Sequence, residues 1–290
     1  MYPKGDAKTS TKELDGWKSA TFNTNTTLYN FYKYSYITIN RANSVIENVG
    51  AMKELDQDTK NQYVGEAYFM RAYSYFNLVR NFGRVPMHLT TVKKLEQATV
   101  GLAASLDEVW NQIFDDLDKA IQLTRIYPKP VTGRTDKVAA YSLAAISYLY
   151  LASAKESGAP QYAAMNFDVD TYYAKAAEYA GHVVDDPAQT TYGLDPNLMD
   201  IYDVSKPTGP EHIFIMSMDR TGETEGQYSK ISKMYIPYIA GGTVYLKQGD
   251  TGVLIPTHDG WSEYCTQKSF YDTGFEAGDL RKSWLFCDTV

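Results

Sequence analysis

Aromatic side chains beside amides are the residues of this sequence best suited to hold a ligand. Trp17 stands in the polar segment DGWKSATFNTNT with Asn23 and Asn25, and Trp261 stands in a comparable setting, PTHDGWSEY. An indole ring can stack on the flat C–H face of a sugar while amides bond to its hydroxyls. We therefore predict ligand contacts from these four residues. For Trp17 an equally weighted alternative is a ring that only fastens the N-terminal segment to the rest of the protein.

A second aromatic group lies in the stretch YSKISKMYIPYIAGGTVY at 228–245. Gly241 and Gly242 indicate turns there, so the tyrosines are predicted to form a ligand-binding loop surface. Tyrosine also favours strands, and packing within a strand is the alternative. The residues concerned are Tyr228, Tyr235, Tyr238 and Tyr245.

The sequence offers no motif for nucleophilic or metal-dependent catalysis. It contains no GxSxG, no phosphate-binding glycine loop and no HxH or HExxH spacing. Asp115 and Asp116 are adjacent, so on a helix they point about 100° apart and cannot face each other as an acid pair. We predict no catalytic residue, no metal and no cofactor, with four surface or capping histidines: His88, His182, His212 and His258.

Five segments before residue 186 have the apolar spacing of helices that pack on neighbours. They are residues 27–52, a segment within 65–86 that ends near Gly83 and Pro86, one that opens at Ser105, one that follows 133–135, and 172–184. The segment 55–62, LDQDTKNQ, is expected to end the first hairpin, and the fourth helix is expected to be almost wholly buried. These helices predict a mainly α fold of tetratricopeptide-like hairpins, packed as a short superhelix beside a loop-rich region with a few short strands.

Two polar residues fall on apolar helix faces. Asn43 is expected to bond to neighbouring backbone, since buried amides normally have protein partners. Arg71 lies on an aromatic helix, and a charge there is retained mainly when it is paired. Its guanidinium could cap carbonyls, stack on a tyrosine or pair with Glu66 or Asp116. Structural pairing is the prediction, and ligand contact is the disfavoured alternative for both residues.

Composition bounds the class of protein. The chain has 290 residues, 25 tyrosines and a net charge of -7, which argues against nucleic acid as a partner. Cys265 and Cys287 either pair or stay free. We expect an N-terminal loop segment at 1–26, the helical scaffold at 27–185, and a loop-rich ligand-binding region at 186–290 that packs on the scaffold and is truncated.

Six segments occur in an order typical of one protein family. They are YSYITINRANSVIENV at 34–49, EAYFMRAYSYFNLVRNFGRVP at 66–86, DEVWNQIFDDLDKAI at 107–121, GRTDKVAAYSLAAISYLYLA at 133–152, YGLDPNLMDIYDVSKPTGPEHIFIMSMD at 192–219 and FEAGDLRKSWLF at 275–286. Together they resemble the SusD/RagB family of outer-membrane nutrient-binding lipoproteins of Bacteroidetes. Similar proteins carry a signal peptide and a lipid-acceptor cysteine and continue past the position of Val290, so the chain is expected to be a fragment.

The resemblance implies a non-catalytic protein on the cell surface, held to the outer membrane by a lipid anchor that this chain lacks. It implies binding of an oligosaccharide, or of another nutrient such as a peptide, and delivery to a SusC-like TonB-dependent transporter. An intracellular helical-repeat scaffold that binds protein segments is the first alternative. A glycan-cleaving enzyme with two cleft carboxylates is the second.

Overall fold

The computed structural model describes residues 2–3, 9–131, 133–203, 205–216, 234–236, 238, 244–248, 253–257, 260–262, 264–279 and 281–282. In these ranges the α-helices are α1 Thr9–Asp15, α2 Thr26–Asn48, α3 Gln57–Phe82, α4 Leu95–Ala98, α5 Leu106–Leu123, α6 Lys137–Glu156, α7 Pro160–Ala163, α8 Val169–Val184 and α9 Lys268–Thr273. The strands are β1 Tyr2–Pro3, β2 Val244–Gln248, β3 Val253–Thr257 and β4 Tyr264–Cys265. Short 3-10 helices span Ser19–Thr24, Val49–Ala51 and Leu198–Tyr202.

The five predicted helices are present as α2, α3, α5, α6 and α8. Their ends follow the expected capping rules at several places. Ser105 caps α5 by accepting a hydrogen bond from the Glu108 amide at 3.1 Å, and Gly83 ends α3 with a φ of 70°. The prediction that residues 55–62 end the first hairpin was wrong. Asp56 accepts a hydrogen bond from the Thr59 amide at 2.8 Å, so α3 begins at Gln57 within that segment.

The long helices pack as antiparallel hairpins. Helix α3 packs along α5, α6 packs along α8, and α5 joins the two pairs through α6. Gly65 lets α3 approach α5 closely, since a Cβ there would lie 2.7 Å from Thr124 Cγ2. The mainly α, tetratricopeptide-like fold that the sequence predicts is confirmed.

The core of the helical unit is rich in aromatic rings. Trp110 is fully buried, as expected, with its ring centroid 5.9 Å from that of Phe76 and 5.8 Å from that of Tyr150. Helix α6 is less buried than expected, since Ile146 and Leu149 are exposed. They line an open groove of about 490 Å³ beside α7. Other faces of α6 pack on α5 and α8, and the groove is bordered by Gln161 and Tyr162 of α7.

The chain divides into two compact units. One comprises Phe31–Ser217, and the other comprises Met1–Asn30 with Met218–Val290. Residues after α8 therefore continue the helical unit: Tyr192 Oη donates to Asp136 at 2.9 Å, and the ring centroid of Phe214 lies 5.1 Å from that of Phe69. The predicted boundaries at 26 and 185 stay predictions.

The described part of the other unit contains the four strands, α1, α9 and the 3-10 helix Ser19–Thr24. β1 pairs with β4, and β2 pairs with β3, both antiparallel, with Tyr245 opposite Pro256. The N-terminal segment 1–26 includes α1 and a 3-10 helix where the sequence suggested loop, because Lys12 and Glu13 carbonyls accept amides from Gly16 and Lys18. In the described part of the chain no helix is long and apolar enough to span a bilayer.

Candidate functional site

Arg71 belongs to the scaffold. Its side chain is buried, and its guanidinium donates to both carboxylate oxygens of Asp116, from Nε at 2.8 Å and from Nη2 at 2.7 Å. Gln112 adds a third bond to Asp116, at 2.9 Å. Burial raises the pKa of Asp116, and the bonds from Arg71 and Gln112 oppose that shift. The predicted pairing of Arg71 with Asp116 is confirmed.

Asn43 joins this pair to the connection after α3. Its Oδ1 accepts from Arg71 Nη1 at 2.7 Å, and its Nδ2 donates to the carbonyls of His88 and Thr90, each at 2.9 Å. Tyr75 also bonds to His88, donating to its carbonyl at 3.1 Å. The predicted structural role of Asn43 is therefore confirmed. These polar groups hold residues 88–90 against α2 and α3.

The GRTD segment before α6 also has a structural role. Asp136 caps α6 by accepting from the Ala139 amide at 3.1 Å, and it accepts from the Tyr127 amide at 3.2 Å. Arg134 pairs with Glu66 at 2.9 Å. Burial raises the pKa of Asp136, and burial together with Asp136 raises the pKa of Tyr192. Each of these side chains bonds to another group of the helical unit, so we assign them to the support of the fold.

The described residues contain no group of three or more His, Cys, Asp or Glu side chains that could hold a metal ion. His212 is a loop-supporting residue, whose Nδ1 accepts from the Gly209 amide at 3.0 Å and whose Nε2 lies 3.0 Å from the Ile201 carbonyl. His182 stacks on Tyr141 with 4.5 Å between ring centroids. His258 and Cys287 lie outside the described residues.

Trp17 is 79% exposed. It has a φ of 51°, between α1 and the following 3-10 helix, and its ring meets the edge of Phe22 at 5.7 Å. A ring so exposed covers little of the protein, which weakens the alternative that it only fastens the N-terminal segment. Asn23 is exposed in the same 3-10 helix. Both residues remain candidates for ligand contact.

Asn25 is buried, whereas Trp17 and Asn23 in the same segment are exposed. Its side chain is buried and caps α2, where Oδ1 accepts from the amides of Thr27 at 3.1 Å and Leu28 at 3.2 Å. Its Nδ2 donates to Glu13 at 3.3 Å. An amide engaged in this way cannot also face a ligand, so we exclude Asn25 from the candidate site.

Three of the predicted aromatic residues lie on two segments that the fold brings together. Tyr235, Tyr238 and Trp261 are exposed, and we call them the aromatic platform. Residues 260–262 cross residues 235–238, and the Ser262 amide donates to the Ile236 carbonyl at 3.1 Å. The platform is therefore built from two segments that are distant in sequence and in direct backbone contact.

One neighbouring aromatic residue packs against the platform. Tyr264, on β4, lies with its ring centroid 5.4 Å from that of Tyr235. Tyr245 is exposed on β2, and the contacts of the described residues do not join it to the platform. Tyr228 and the pair Gly241–Gly242 lie outside the described residues, so their predicted roles stay predictions.

Sequence inspection missed two residues of the crossing. Ser262 Oγ accepts from the Tyr238 amide at 2.6 Å. Gly260 lies so close to Ile236 that a Cβ there would be 2.0 Å from the Ile236 carbonyl oxygen. The signal was present in DGWSE, where a glycine and a serine flank the tryptophan, but such a pattern equally fits an ordinary turn.

Comparison with known proteins places the chain in a family. The family model for SusD-like proteins, described as "Starch-binding associating with outer membrane", matches residues 4–151 of the 290. The chain belongs to the SusD-like family. The match includes α2, α3, α5 and most of α6 of this SusD-like chain, and the aromatic platform lies beyond it.

Relatives and solved structures of SusD-like proteins agree with the fold. A SusD-like protein of Formosa agariphila is 26% identical over 263 residues, which are 87% of this chain and 44% of that protein. A SusD superfamily structure from Bacteroides vulgatus aligns with a TM-score of 0.67 at 22% identity, over 96% of this chain and 54% of the other. A laminarin-binding SusD-like structure aligns with a TM-score of 0.67 at 23% identity, over 87% and 51%. The chain thus spans about half the length of the relatives it matches.

Proposed function

We propose that this protein binds a nutrient at the cell surface without chemically changing it, and that the nutrient is an oligosaccharide. The observation that carries the proposal is the aromatic platform, in which Tyr235, Tyr238 and Trp261 are exposed on two crossing segments. Exposed aromatic rings on neighbouring segments offer flat apolar surfaces that stack on the C–H face of a sugar.

Family membership supports the same ligand class. One similar structure is a laminarin-binding SusD-like protein, and another is a surface glycan-binding protein of Bacteroides uniformis, which aligns with a TM-score of 0.62. A further similar structure contains a xylogluco-oligosaccharide. These ligands belong to those proteins, and they supply the first sugars to test here.

The buried charges support the non-catalytic part of the proposal. Asp116, Asp136 and Glu66 are each bonded to arginine, amide or hydroxyl groups of the scaffold. A carboxylate that acts on a glycosidic bond must instead face the substrate as an acid, a base or a nucleophile. Chromatography of oligosaccharides after incubation with the protein should show no shorter products.

Calorimetry with laminarin and xyloglucan oligosaccharides, together with a glycan array, tests the binding function. We expect Trp261→Ala to weaken binding about 30-fold or more, since truncation of a central aromatic contact costs about 2 kcal/mol or more. Tyr238→Ala should weaken binding in the same direction. Trp17→Ala tests whether the N-terminal ring contributes as well.

A matched control is available on the helical unit. Tyr34 on α2 is 60% exposed, close to the 57% of Tyr238, so Tyr34→Ala removes a similar area of exposed ring. We expect this variant to bind as the wild type does. Equal losses for both tyrosine variants, or none for Tyr238 and Trp261, would show that the platform is not the site.

We extend the proposal to the partner and the location that the family resemblance implies. The protein would be lipid-anchored at the outer membrane and would deliver its ligand to a SusC-like TonB-dependent transporter. Affinity purification from detergent-solubilised outer membranes should recover such a transporter with the protein. Recovery of the protein only from the cytoplasmic fraction would contradict this extension.

A further inference from the structure

The aromatic platform depends on an unusually close backbone crossing. The Ile236 carbonyl accepts the Ser262 amide at 3.1 Å and also lies against Gly260. A Cβ at position 260 would be 2.0 Å from the Ile236 oxygen and 2.6 Å from its carbonyl carbon. No side chain fits there without displacing backbone, so glycine is needed at 260 for the two segments to cross.

Ser262 completes the crossing from the other side. It is buried, and its Oγ accepts from the Tyr238 amide at 2.6 Å. Its backbone has a φ of 48°, a left-handed conformation that is unfavourable for a serine. Such a conformation persists only where the surroundings impose it, and it is common at sites that hold a ligand.

We propose that Ser262 is a positioning residue for ligand binding, acting with Gly260 to hold Trp261 and Tyr238 in a fixed arrangement before the ligand arrives. Ser262 touches Tyr238 through its side chain and follows Trp261 directly in the chain. Its two bonds fix the backbone on which both rings stand. The inference rests on the proposed function, because it assigns a role within the same site.

Fixing these rings in advance would strengthen binding. Ordering a mobile aromatic loop at the moment of binding consumes part of the interaction free energy, whereas a platform that is already ordered avoids that loss. Ser262 would therefore affect affinity without touching the sugar. Weaker affinity in its variants should appear mainly as a less favourable binding entropy.

Three variants at position 262 separate the effect of the hydrogen bond to the Tyr238 amide from the effect of the backbone conformation. Ser262→Ala removes the acceptor and keeps the Cβ that opposes the left-handed conformation, and we expect about tenfold weaker binding of laminarin or xyloglucan oligosaccharides. Ser262→Gly removes the acceptor and also the steric penalty of positive φ, and we expect about threefold weaker binding. Ser262→Asn keeps a side-chain oxygen and tolerates positive φ, so it should bind within about twofold of the wild type.

Ser269→Ala is the matched control, since Ser269 is an exposed serine on α9 of the same unit. It should bind as the wild type does. The thermal unfolding midpoint of the helical unit should be unchanged in all of these variants. A loss for Ser262→Ala that Ser262→Asn does not restore would indicate general damage and would overturn the positioning role.

Hydrogen–deuterium exchange gives a readout that needs no sugar. The Tyr238 amide should exchange slowly in the wild type and in Ser262→Asn, and faster in Ser262→Ala and Ser262→Gly. Equal protection in all four proteins would overturn the inference, whatever sugar is bound. If no oligosaccharide binds to the wild type, the proposed function fails, and the exchange result still decides whether Ser262 orders the Tyr238 backbone.

Discussion

At the scale of single residues, the same side chain can serve the fold or a ligand, and its surroundings decide which. Asn25 and Asn23 lie in one polar segment, and the sequence marks both as hydrogen-bonding groups beside Trp17. The structure buries Asn25 as the cap of α2 and leaves Asn23 exposed. Asparagine is favoured both as a helix cap and as a polar ligand contact, so residue type alone could not separate these roles.

For Arg71 the residue type and its surroundings were enough to predict a structural role. A guanidinium among aromatic residues had to be paired, and the pair with Asp116 is present. The choice of Asp116 over Glu66 required the structure, which assigns Glu66 to Arg134 instead.

Replacement of Arg71 should destabilise the protein strongly. Arg71→Met leaves the Asp116 carboxylate buried without its partner, which typically costs about 3–5 kcal/mol of unfolding free energy. Urea-induced unfolding followed by circular dichroism would measure the loss. Arg41→Met, on the exposed side of α2, is the control and should change stability by less than about 0.5 kcal/mol. Unchanged stability of Arg71→Met together with lost ligand binding would instead make Arg71 a ligand contact.

At the scale of elements, helix positions were largely predictable because caps and apolar spacing act within a few residues of the chain. Ser105 and Gly83 both act where the sequence indicated. The start of α3 was missed because the polar segment 55–62 fits the end of a hairpin as well as it fits a helix capped by Asp56. The exposed face of α6 was missed because Ile146 and Leu149 are apolar, and only the packing of neighbouring helices shows which face is covered.

Substitution of Gly65 tests how closely α3 and α5 must approach each other. Alanine normally favours a helix over glycine by about 1 kcal/mol, yet a Cβ at 65 would lie 2.7 Å from Thr124 and 3.0 Å from Leu123. We expect Gly65→Ala to destabilise the protein by about 1–3 kcal/mol in urea unfolding, because overpacking outweighs propensity.

Gly50 supplies the control for that substitution. A Cβ at position 50 meets no atom within 4 Å. Gly50→Ala should therefore leave stability unchanged or raise it slightly, by reducing the freedom of the unfolded chain. If both alanine variants were equally stable, the helices would have room to separate, and close approach at Gly65 would not be a requirement of the fold.

At the scale of the whole molecule, the helical unit contains a core of its own. Its buried cluster extends from Ile39 on α2 to Ala176 on α8, and Phe214 packs against it from the segment after the helices. This arrangement explains why residues 186–216, which the sequence assigned to the loop-rich region, group with the helices.

We expect residues 25–216 to fold when expressed alone. Starting at Asn25 preserves the cap of α2, and ending at Met216 retains Phe214 against Phe69. The fragment should show the circular dichroism of a helical protein and one cooperative thermal transition. A non-cooperative transition or strong binding of a hydrophobic dye would show that this core needs the rest of the chain.

The sequence by itself determined the helical hairpins, the need for Arg71 to be paired and the family resemblance, because each depends on local spacing, residue type or motif order. Only the tertiary structure decided that the segment with Trp261 lies against the segment with Tyr235 and Tyr238, and that Ser262 bonds across the two. The bond from the Tyr238 amide to Ser262 joins residues 24 positions apart. Contacts across such a separation depend on how the intervening chain folds, and no pattern within either segment specifies them.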